Sequence, residues 1–234
     1  MPTILALDTA GDICSVALLR DGTIDVVRGA TGHNHLEHAL PLVQGLLARH
    51  GLRPSGCDAF AFGSGPGSFT GLRVACTIVQ GLAYGSERPV VAVGNLDALA
   101  LAACSADAAP AVPVRVLVAL DARMDQVYWA VYEGAGLQWQ ALTPPALCDA
   151  GELAAQVDRW RPHYCAGQLP WLRAAVGAGS ALRQAQADAG VIAELARQRY
   201  AAGLVVAPQQ AAPAYVRDDV ARTVAQRRAA GLCP

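Results

Sequence analysis

The sequence predicts a two-lobed α/β protein built from a duplicated unit. Residues 4–10 (Ile-Leu-Ala-Leu-Asp-Thr-Ala) align without a gap with residues 117–123 (Leu-Val-Ala-Leu-Asp-Ala-Arg), and residues 14–20 fall on residues 127–133 in the same register. Each copy reads as a buried strand ending in Asp, a short turn, a second strand, a Gly-containing turn and a third strand. Alternating helices and strands follow each time, so we expect two mixed sheets, each beginning with three antiparallel strands and flanked by helices.

The predicted elements follow in chain order. In the first copy, Asp21-Gly22 is a strong hairpin signal between two apolar strands. After its third strand come a helix at about 35–50, a strand at 58–62, a helix at 69–84 and a strand at 89–93. The second copy continues from its third strand at 137–142 with a helix at about 149–160, a strand at 164–166, and helices near 181–202 and 217–230.

An Ala/Pro-rich segment at 105–113 is the predicted join between the lobes. The boundaries are therefore 1–105 for the N-terminal lobe and 106–234 for the shorter C-terminal lobe. The C-terminal helix at about 217–230 can pack back on the N-terminal lobe.

Composition restricts the class of protein. Of the 234 residues, 53% are hydrophobic and 16% charged, which is typical of a globular chain with a large core. The net charge of −1 supplies no sequence-wide basic field for nucleic acid or an anionic membrane. All 18 basic residues are Arg, so Schiff-base, P-loop and kinase-type lysines are excluded within this chain.

The cysteines and the N-terminus predict a cytoplasmic protein. Seven cysteines are scattered without a C-x-x-C pair, which favours a reducing compartment over a disulfide framework. The first residues reach Asp8 without a basic stretch, so they read as a strand and not as a signal peptide. Charged residues and prolines interrupt the Ala-rich stretch 96–113, which excludes a membrane span there.

The Gly-rich segment 63–71 (Gly-Ser-Gly-Pro-Gly-Ser-Phe-Thr-Gly) lies between a predicted strand and a predicted helix, which Ser68 or Thr70 can cap. Such a loop either cradles a phosphate or forms a tight turn that lets the helix pack closely on the sheet. The Walker pattern, with its Lys, is absent. The cofactor-binding candidates are therefore weak: Gly65 and Gly67 in this loop, with Asp8 and Asp121 at the ends of corresponding strands.

Asp8 and Asp121 have two readings. They can hold a metal–phosphate group across the cleft of a two-lobed nucleotide-binding fold, or each can cap its own turn. No catalytic residue is predicted, because Ser68 and Cys76 lack the context of an activated nucleophile. No metal site is predicted either, because His33, His35 and His38 lack further ligands at suitable spacing.

The helices at 35–50 and 69–84 are apolar around most of their circumference. Such helices are either plain core or pack on their own sheet and also on a partner. Pro41 either begins the first helix or kinks it. The partner-contact candidates are Leu36, Leu40, Val43 and Leu47 on the first helix, and Leu72, Cys76 and Val79 on the second.

Four segments resemble the bacterial TsaB (YeaZ) family, which supports synthesis of threonylcarbamoyladenosine in tRNA. The most specific is 65–73 (Gly-Pro-Gly-Ser-Phe-Thr-Gly-Leu-Arg) followed by Gln80-Gly81-Leu82-Ala83. The others are the opening Leu5-Ala6-Leu7-Asp8-Thr9 with 14–17, the second-lobe Leu120-Asp121-Ala122-Arg123 with Val127-Tyr128, and the C-terminal Pro213-Ala214-Tyr215-Val216-Arg217. The resemblance spans nearly the whole chain.

The resemblance implies a duplicated, ribonuclease H-like fold of the actin, sugar kinase and Hsp70 type. It implies a non-catalytic subunit that binds and activates the transferase TsaD through a four-helix contact, with TsaE joining the ternary complex. Without TsaD, the same helices would form a homodimer. It also implies that ATP or ADP is bound by the partner complex and not by this chain alone, and that tRNA is contacted only through the complex.

The sequence departs from these families at three places. The TsaB pattern His-Ser-Glu appears as His35-Leu36-Glu37. The metal-binding His pair and the adenosine-binding Gly-rich loop of TsaD are not found, and 165–168 (Cys-Ala-Gly-Gln) has one glycine in that place. The alternative function is an ATPase or kinase-like enzyme of the same fold, which would use Asp8, Asp121 and the 63–71 loop. The missing Lys and the missing adenosine-binding loop favour the non-catalytic subunit.

Overall fold

Two mixed β-sheets form the framework of the protein in the computed structural model, which describes residues 1–31, 35–105, 112–169, 172–176 and 180–217. The first sheet contains five strands: β1 (Ile4–Asp8), β2 (Ile13–Arg20), β3 (Thr23–Thr31), β4 (Ala59–Gly65) and β5 (Val90–Gly94). The second contains six: β6 (Val114–Arg123), β7 (Gln126–Ala135), β8 (Gln138–Ala141), β9 (Ala146–Asp149), β10 (Tyr164–Ala166) and β11 (Ala181–Arg183).

The two sheets share one topology. The first has the order β3-β2-β1-β4-β5, and the second has the order β8-β7-β6-β10-β11, with β9 pairing with β7. In each sheet the first three strands are antiparallel and the later two add in parallel. Asp8 ends β1, and the aligned Asp121 lies near the end of β6. The duplication and the two predicted mixed sheets, each beginning with three antiparallel strands and flanked by helices, are therefore confirmed.

Six α-helices flank the sheets in the described part of the chain: α1 (His35–Arg49), α2 (Phe69–Gly85), α3 (Asn95–Ser105), α4 (Leu153–Trp160), α5 (Leu172–Val176) and α6 (Ala189–Ala201). Short 3₁₀ turns occur at Pro54–Gly56, Ala150–Glu152 and Pro208–Gln210. Pro41 lies inside α1, so the prediction that it begins this helix is wrong. No helix in these described ranges is both long enough and apolar enough to span a membrane.

Alternation along the strands determines which helices cover each face of the first sheet. Leu5 and Leu7 of β1 point into a core with α1 and α2, whereas Ile4 and Ala6 point into a core with α3 and α6. The side of α3 that carries Leu99 packs on the second sheet. The outer face of the second sheet packs on α4 and α5. The helices α3 and α6 therefore lie between the sheets and join the lobes.

The second sheet with α4 and α5 forms the second lobe, whereas α6, which also belongs to the segment 106–234, packs on the first sheet. The predicted helix near 181–202 is also shorter, because residues 181–183 form β11. Asp188 caps α6 by accepting hydrogen bonds from the amides of Gly190 (2.9 Å) and Val191 (3.1 Å). Beyond residue 217, the helix predicted at 217–230 lies outside the described residues.

Candidate functional site

A cleft of about 550 Å³ lies between the lobes. Its walls are the β1–β2 turn, the loop that precedes α2, the β6–β7 hairpin turn and the C-terminal segment 214–217. All four weak cofactor-binding candidates belong to these elements, and Asp8, Asp121 and Gly67 line the cleft directly. The duplicated topology places both aspartates there, because each comes at the same end of the equivalent central strand.

Asp8 is buried, with only 3% of its surface exposed. Its Oδ1 accepts hydrogen bonds from the amide of Ala10 (3.1 Å) and from Nδ2 of Asn95 (3.1 Å). Burial outweighs these bonds and raises the pKa of the Asp8 carboxyl to about 6. Asn95, the first residue of α3, had no predicted role, yet its Oδ1 also accepts from the amide of Gly65 (2.8 Å). Asp8 therefore belongs to a closed network that joins β1, β4 and α3.

Asp121 occupies the equivalent position in the second unit, but its environment differs. Its side chain is 52% exposed, and it accepts a hydrogen bond from the amide of Arg123 (2.7 Å) and pairs with the guanidinium of Arg123 (3.5 Å). Arg123, Met124 and Asp125 all adopt left-handed backbone conformations, with φ of 62°, 57° and 57°. Non-glycine residues rarely occupy this region, so the β6–β7 turn depends on contacts such as the Asp121 cap. The turn-capping reading therefore describes Asp121 well.

The Gly-rich loop is packed against the chain's own backbone. The amide of Ser68 donates to the carbonyl of Ala10 (2.8 Å), and Thr9 Oγ1 donates to the carbonyl of Gly71 (2.6 Å). A Cβ on Gly71 would lie 1.8 Å from the Thr9 carbonyl oxygen, and one on Gly67 would lie 2.8 Å from that of Ala10. The glycines thus permit the loop to contact the β1–β2 turn closely.

Gly65 and Gly67 are required for different reasons. Gly65 has φ of 120°, which L-residues rarely adopt, and a Cβ there would lie 2.5 Å from the carbonyl oxygen of Ala214. Gly67 does not have a positive φ, so its requirement comes from steric close approach alone. The predicted cap of α2 is confirmed for Ser68, whose Oγ accepts from the amide of Gly71 (3.3 Å).

The C-terminal segment also shapes the cleft, although the sequence pattern gave it no structural role. The amide of Ala214 donates to the carbonyl of Ser64 (2.7 Å). Tyr215 contacts the first lobe, and Arg217 reaches the β6–β7 turn of the second lobe. The signal that could have located this segment was the Pro-Ala-Tyr-Val-Arg motif, which carries aromatic and cationic side chains in an otherwise Ala-rich tail.

Most of the partner-contact candidates are core residues. Five of them are no more than 4% exposed: Val43, Leu47, Leu72, Cys76 and Val79. Four belong to the core between the first sheet and its two outer helices, and Leu72 lines the inner side of the cleft. They cannot present an apolar surface to a partner, so this prediction is wrong for them. Leu40 is 42% exposed, and the side chain of Leu36 lies outside the described residues.

The exposed side of α1 and α2 has a different character. We define the outer helical face as the exposed residues Leu40, Pro41, Gln44, Gly45 and Ala48 of α1 with Thr77, Gly81 and Tyr84 of α2. No charged residue occurs in 39–48 or 74–86. A Cβ added at Gly45 or Gly81 would contact nothing within 4 Å. The face is thus uncharged, contains small residues and is open to a close approach.

The six cysteines of the described residues show no sign of an activated nucleophile. Burial raises the pKa of Cys14 and Cys57 to about 11, and that of Cys165 to about 12. Burial also raises the pKa of Cys76, for which the sequence predicts no catalytic role. Within the described ranges, no three His, Cys, Asp or Glu side chains are grouped so that they could hold a metal ion.

Comparison with known proteins connects this geometry to a family. A family model described as TsaD, tRNA N6-adenosine threonylcarbamoyltransferase, matches residues 26–168. The tRNA threonylcarbamoyladenosine biosynthesis protein TsaB of Escherichia coli is 36% identical over 230 residues, which cover 93% of this chain and 96% of that protein. TsaB of Haemophilus influenzae is 39% identical over 164 residues, which cover 67% of this chain and 68% of that protein.

A solved structure gives the same assignment. The crystal structure of a Pseudomonas aeruginosa protein, described as similar to peptidase YeaZ, superposes with a TM-score of 0.82 and 37% sequence identity. The match covers 93% of this chain and all of that chain. Sequence and structure agree over nearly the full length, and the chain belongs to the TsaB (YeaZ) family.

Proposed function

We propose that this protein is a non-catalytic subunit for tRNA threonylcarbamoyladenosine modification, which binds the transferase TsaD and makes it competent. TsaE joins the ternary complex, and tRNA is contacted only through the complex. In the absence of TsaD the chain forms a homodimer, and it acts in the cytoplasm. ATP or ADP is bound by the partner complex and not by this chain alone.

The observation that carries this proposal is the outer helical face. Exposed helices of a protein with 16% charged residues would ordinarily show charges, yet 39–48 and 74–86 contain none. Leu40 and Tyr84 are 42% and 66% exposed on this face, and small residues lie between them. Depletion of charge combined with aromatic and small residues is typical of the core of a protein–protein interface. Two helices that meet two equivalent helices of a related subunit would bury this face.

The cleft supports a non-catalytic role, because three amides of its Gly-rich loop are occupied by the chain itself. The amides of Gly65, Ser68 and Gly71 donate to Asn95 Oδ1, the Ala10 carbonyl and Ser68 Oγ. A phosphate cradle needs such amides to point at the ligand. Asp8 is also committed to Ala10 and Asn95. The alternative ATPase or kinase function would require these contacts to break.

The outer helical face can be tested without disturbing the core. Replacing Gly45 with Glu or Gly81 with Arg adds a bulky charge where the folded chain has open space. Because exposed helical glycines cost about 0.5–1 kcal/mol relative to alanine, these variants should keep or raise the melting temperature. In calorimetric titration we expect them to raise the Kd for TsaD at least about 100-fold, which is a loss of about 2.7 kcal/mol in binding free energy.

The matched control is Gly151→Glu, which adds the same charge at an exposed glycine of the second lobe with nothing within 4 Å. It should bind TsaD like the unmodified protein. In sedimentation experiments without TsaD, Gly45→Glu and Gly81→Arg should be monomeric. Folded variants that bind TsaD with unchanged affinity would exclude this face as the interface.

A further inference from the structure

The segment Ala211–Arg217 crosses from the first lobe to the second, and we name it the C-terminal strap. Its first end is anchored along α2. The carbonyl of Ala211 accepts a hydrogen bond from Nε2 of Gln80 (2.8 Å), and Ala211 is buried in the core beneath α2. Further on, the amide of Ala214 donates to Ser64 in β4 (2.7 Å). The strap is therefore fixed to the first lobe by one side-chain and one backbone hydrogen bond and by the burial of Ala211.

The middle of the strap is clamped to the start of α2 by an aromatic and cationic cluster. The rings of Tyr215 and Phe69 have centroids 5.6 Å apart. The guanidinium of Arg73 lies 3.7 Å above the Phe69 ring, and its Nε donates to the hydroxyl of Tyr215 (3.0 Å). Cation–π and aromatic contacts of this kind stabilise even partly exposed pairs. All three side chains belong to the first lobe or to the strap.

The far end of the strap engages the second lobe through Arg217. Its Nη2 donates to the carbonyl of Ala122 (3.0 Å) and to Oε1 of Gln126 (2.7 Å), on the two sides of the β6–β7 turn. The turn is itself held to its own lobe, because Gln126 Nε2 donates to Asp149 (3.0 Å). Arg217 therefore links the β6–β7 turn of the second lobe to the strap.

These contacts lie at the mouth of the cleft, away from the place where the lobes are joined. The join is made by α3 and α6, where Asp97 of α3 accepts a hydrogen bond from Tyr132 of the second sheet (2.6 Å) and pairs with Arg199 of α6. The cleft opens beyond the first residue of α3, Asn95, and the strap forms one of its walls. We propose that the strap is a latch that holds the two lobes together across the cleft and fixes the width of its mouth.

If the strap is a latch, a change at Tyr215 affects the other lobe, whereas a purely local role of Arg217 predicts no such effect. Loosening the strap at Tyr215, which is clamped only to α2 in the described contacts, should release the β6–β7 turn of the other lobe. Hydrogen–deuterium exchange of the full chain, followed by mass spectrometry, measures this opening segment by segment. The variants are Arg217→Gln, which removes the link, and Tyr215→Ala, at a side chain that is 46% exposed.

In both variants we expect the amides of 122–127 and of the facing turn 9–12 to exchange at least about tenfold faster. This corresponds to a decrease of about 1.4 kcal/mol in the free energy of local opening. Exchange in the core of α2, residues 75–83, should stay unchanged. Arg159→Gln, which removes an exposed arginine from α4 of the second lobe, should change neither segment.

Two results would overturn the latch. Unchanged exchange of 122–127 in Tyr215→Ala would show that the strap does not transmit its anchoring to the second lobe. A uniform increase over both lobes in either variant would show general destabilisation and not opening at the cleft. If Arg217→Gln does not fold, Tyr215→Ala alone decides between these outcomes.

Discussion

Replacing Asp8 with Asn should stabilise the protein at neutral pH. Asp8 is 3% exposed, and burial raises its pKa from 3.8 to about 6. An Asn at this position has nearly the same shape and keeps the oxygen that accepts from Ala10 and from Asn95. It removes the charge that the buried site disfavours.

The magnitude follows from the difference in pKa between the folded and unfolded chains. A raised carboxyl pKa means that the unfolded chain loses its proton first as the pH rises. Stability therefore falls between about pH 4 and pH 6, and the full loss is present above pH 6. A shift of about 2 units corresponds to about 3 kcal/mol. Because the side-chain nitrogen of Asn cannot accept a hydrogen bond as the second Asp8 oxygen can, a difference of about 1 kcal/mol, we expect a net gain of about 2 kcal/mol.

Urea unfolding at two pH values tests this expectation. At pH 7.5, Asp8→Asn should be about 2 kcal/mol more stable than the unmodified chain, and at pH 4 the advantage should disappear. Asp121→Asn is the matched control, because this carboxylate is 52% exposed at the equivalent strand end, and it should show no comparable gain. A loss of stability in Asp8→Asn at pH 7.5, or the same gain at both pH values, would refute the reasoning.

Three further results are expected. Gly71→Ala should unfold the chain or lower its free energy of unfolding by at least about 3 kcal/mol, because the new Cβ would lie 1.8 Å from the Thr9 carbonyl oxygen. Gly11→Ala is the control, because its Cβ meets nothing within 4 Å. Equal melting temperatures of the two variants would contradict the packed loop. Cys14, Cys57 and Cys165 should resist a thiol reagent at pH 8 until urea is added, because burial raises their pKa values. Mass spectrometry of each peptide measures the labelling, and rapid labelling of these three in the folded protein would contradict this prediction. ATP should bind the isolated chain no more tightly than about 1 mM in calorimetry, whereas micromolar binding would favour the enzyme alternative.

The strand framework was predictable because its signals are local. The strands β1 and β6, which carry Asp8 and Asp121 at or near their ends, and the Asp21-Gly22 hairpin each depend on short stretches of sequence. The repeat reinforces these signals. The helix α3 was missed because its Ala-rich sequence has almost no polar side to indicate a helical period. It is covered by both sheets, and that burial is a property of the assembled lobes and not of the segment.

The errors at the site have the same origin. Val43 and Val79 are apolar because they face the sheet, and a sequence pattern does not show which apolar positions the fold will cover. The face left exposed is recognisable by missing charges and by Gly45 and Gly81, a weaker signal than a row of large apolar residues. Gly67 is required by the close approach of Ala10, which is distant in sequence, so the loop's own residues do not reveal this requirement.

Reconstituted threonylcarbamoyl transfer tests the proposed role most directly. The assay contains tRNA, ATP, threonylcarbamoyl-adenylate and TsaE, with this chain and TsaD supplied together or singly. We expect modified adenosine when both are present, none with this chain alone, and full activity with Asp8→Asn, because Asp8 is committed to Ala10 and Asn95. Product formed by this chain in the absence of TsaD would contradict a non-catalytic subunit.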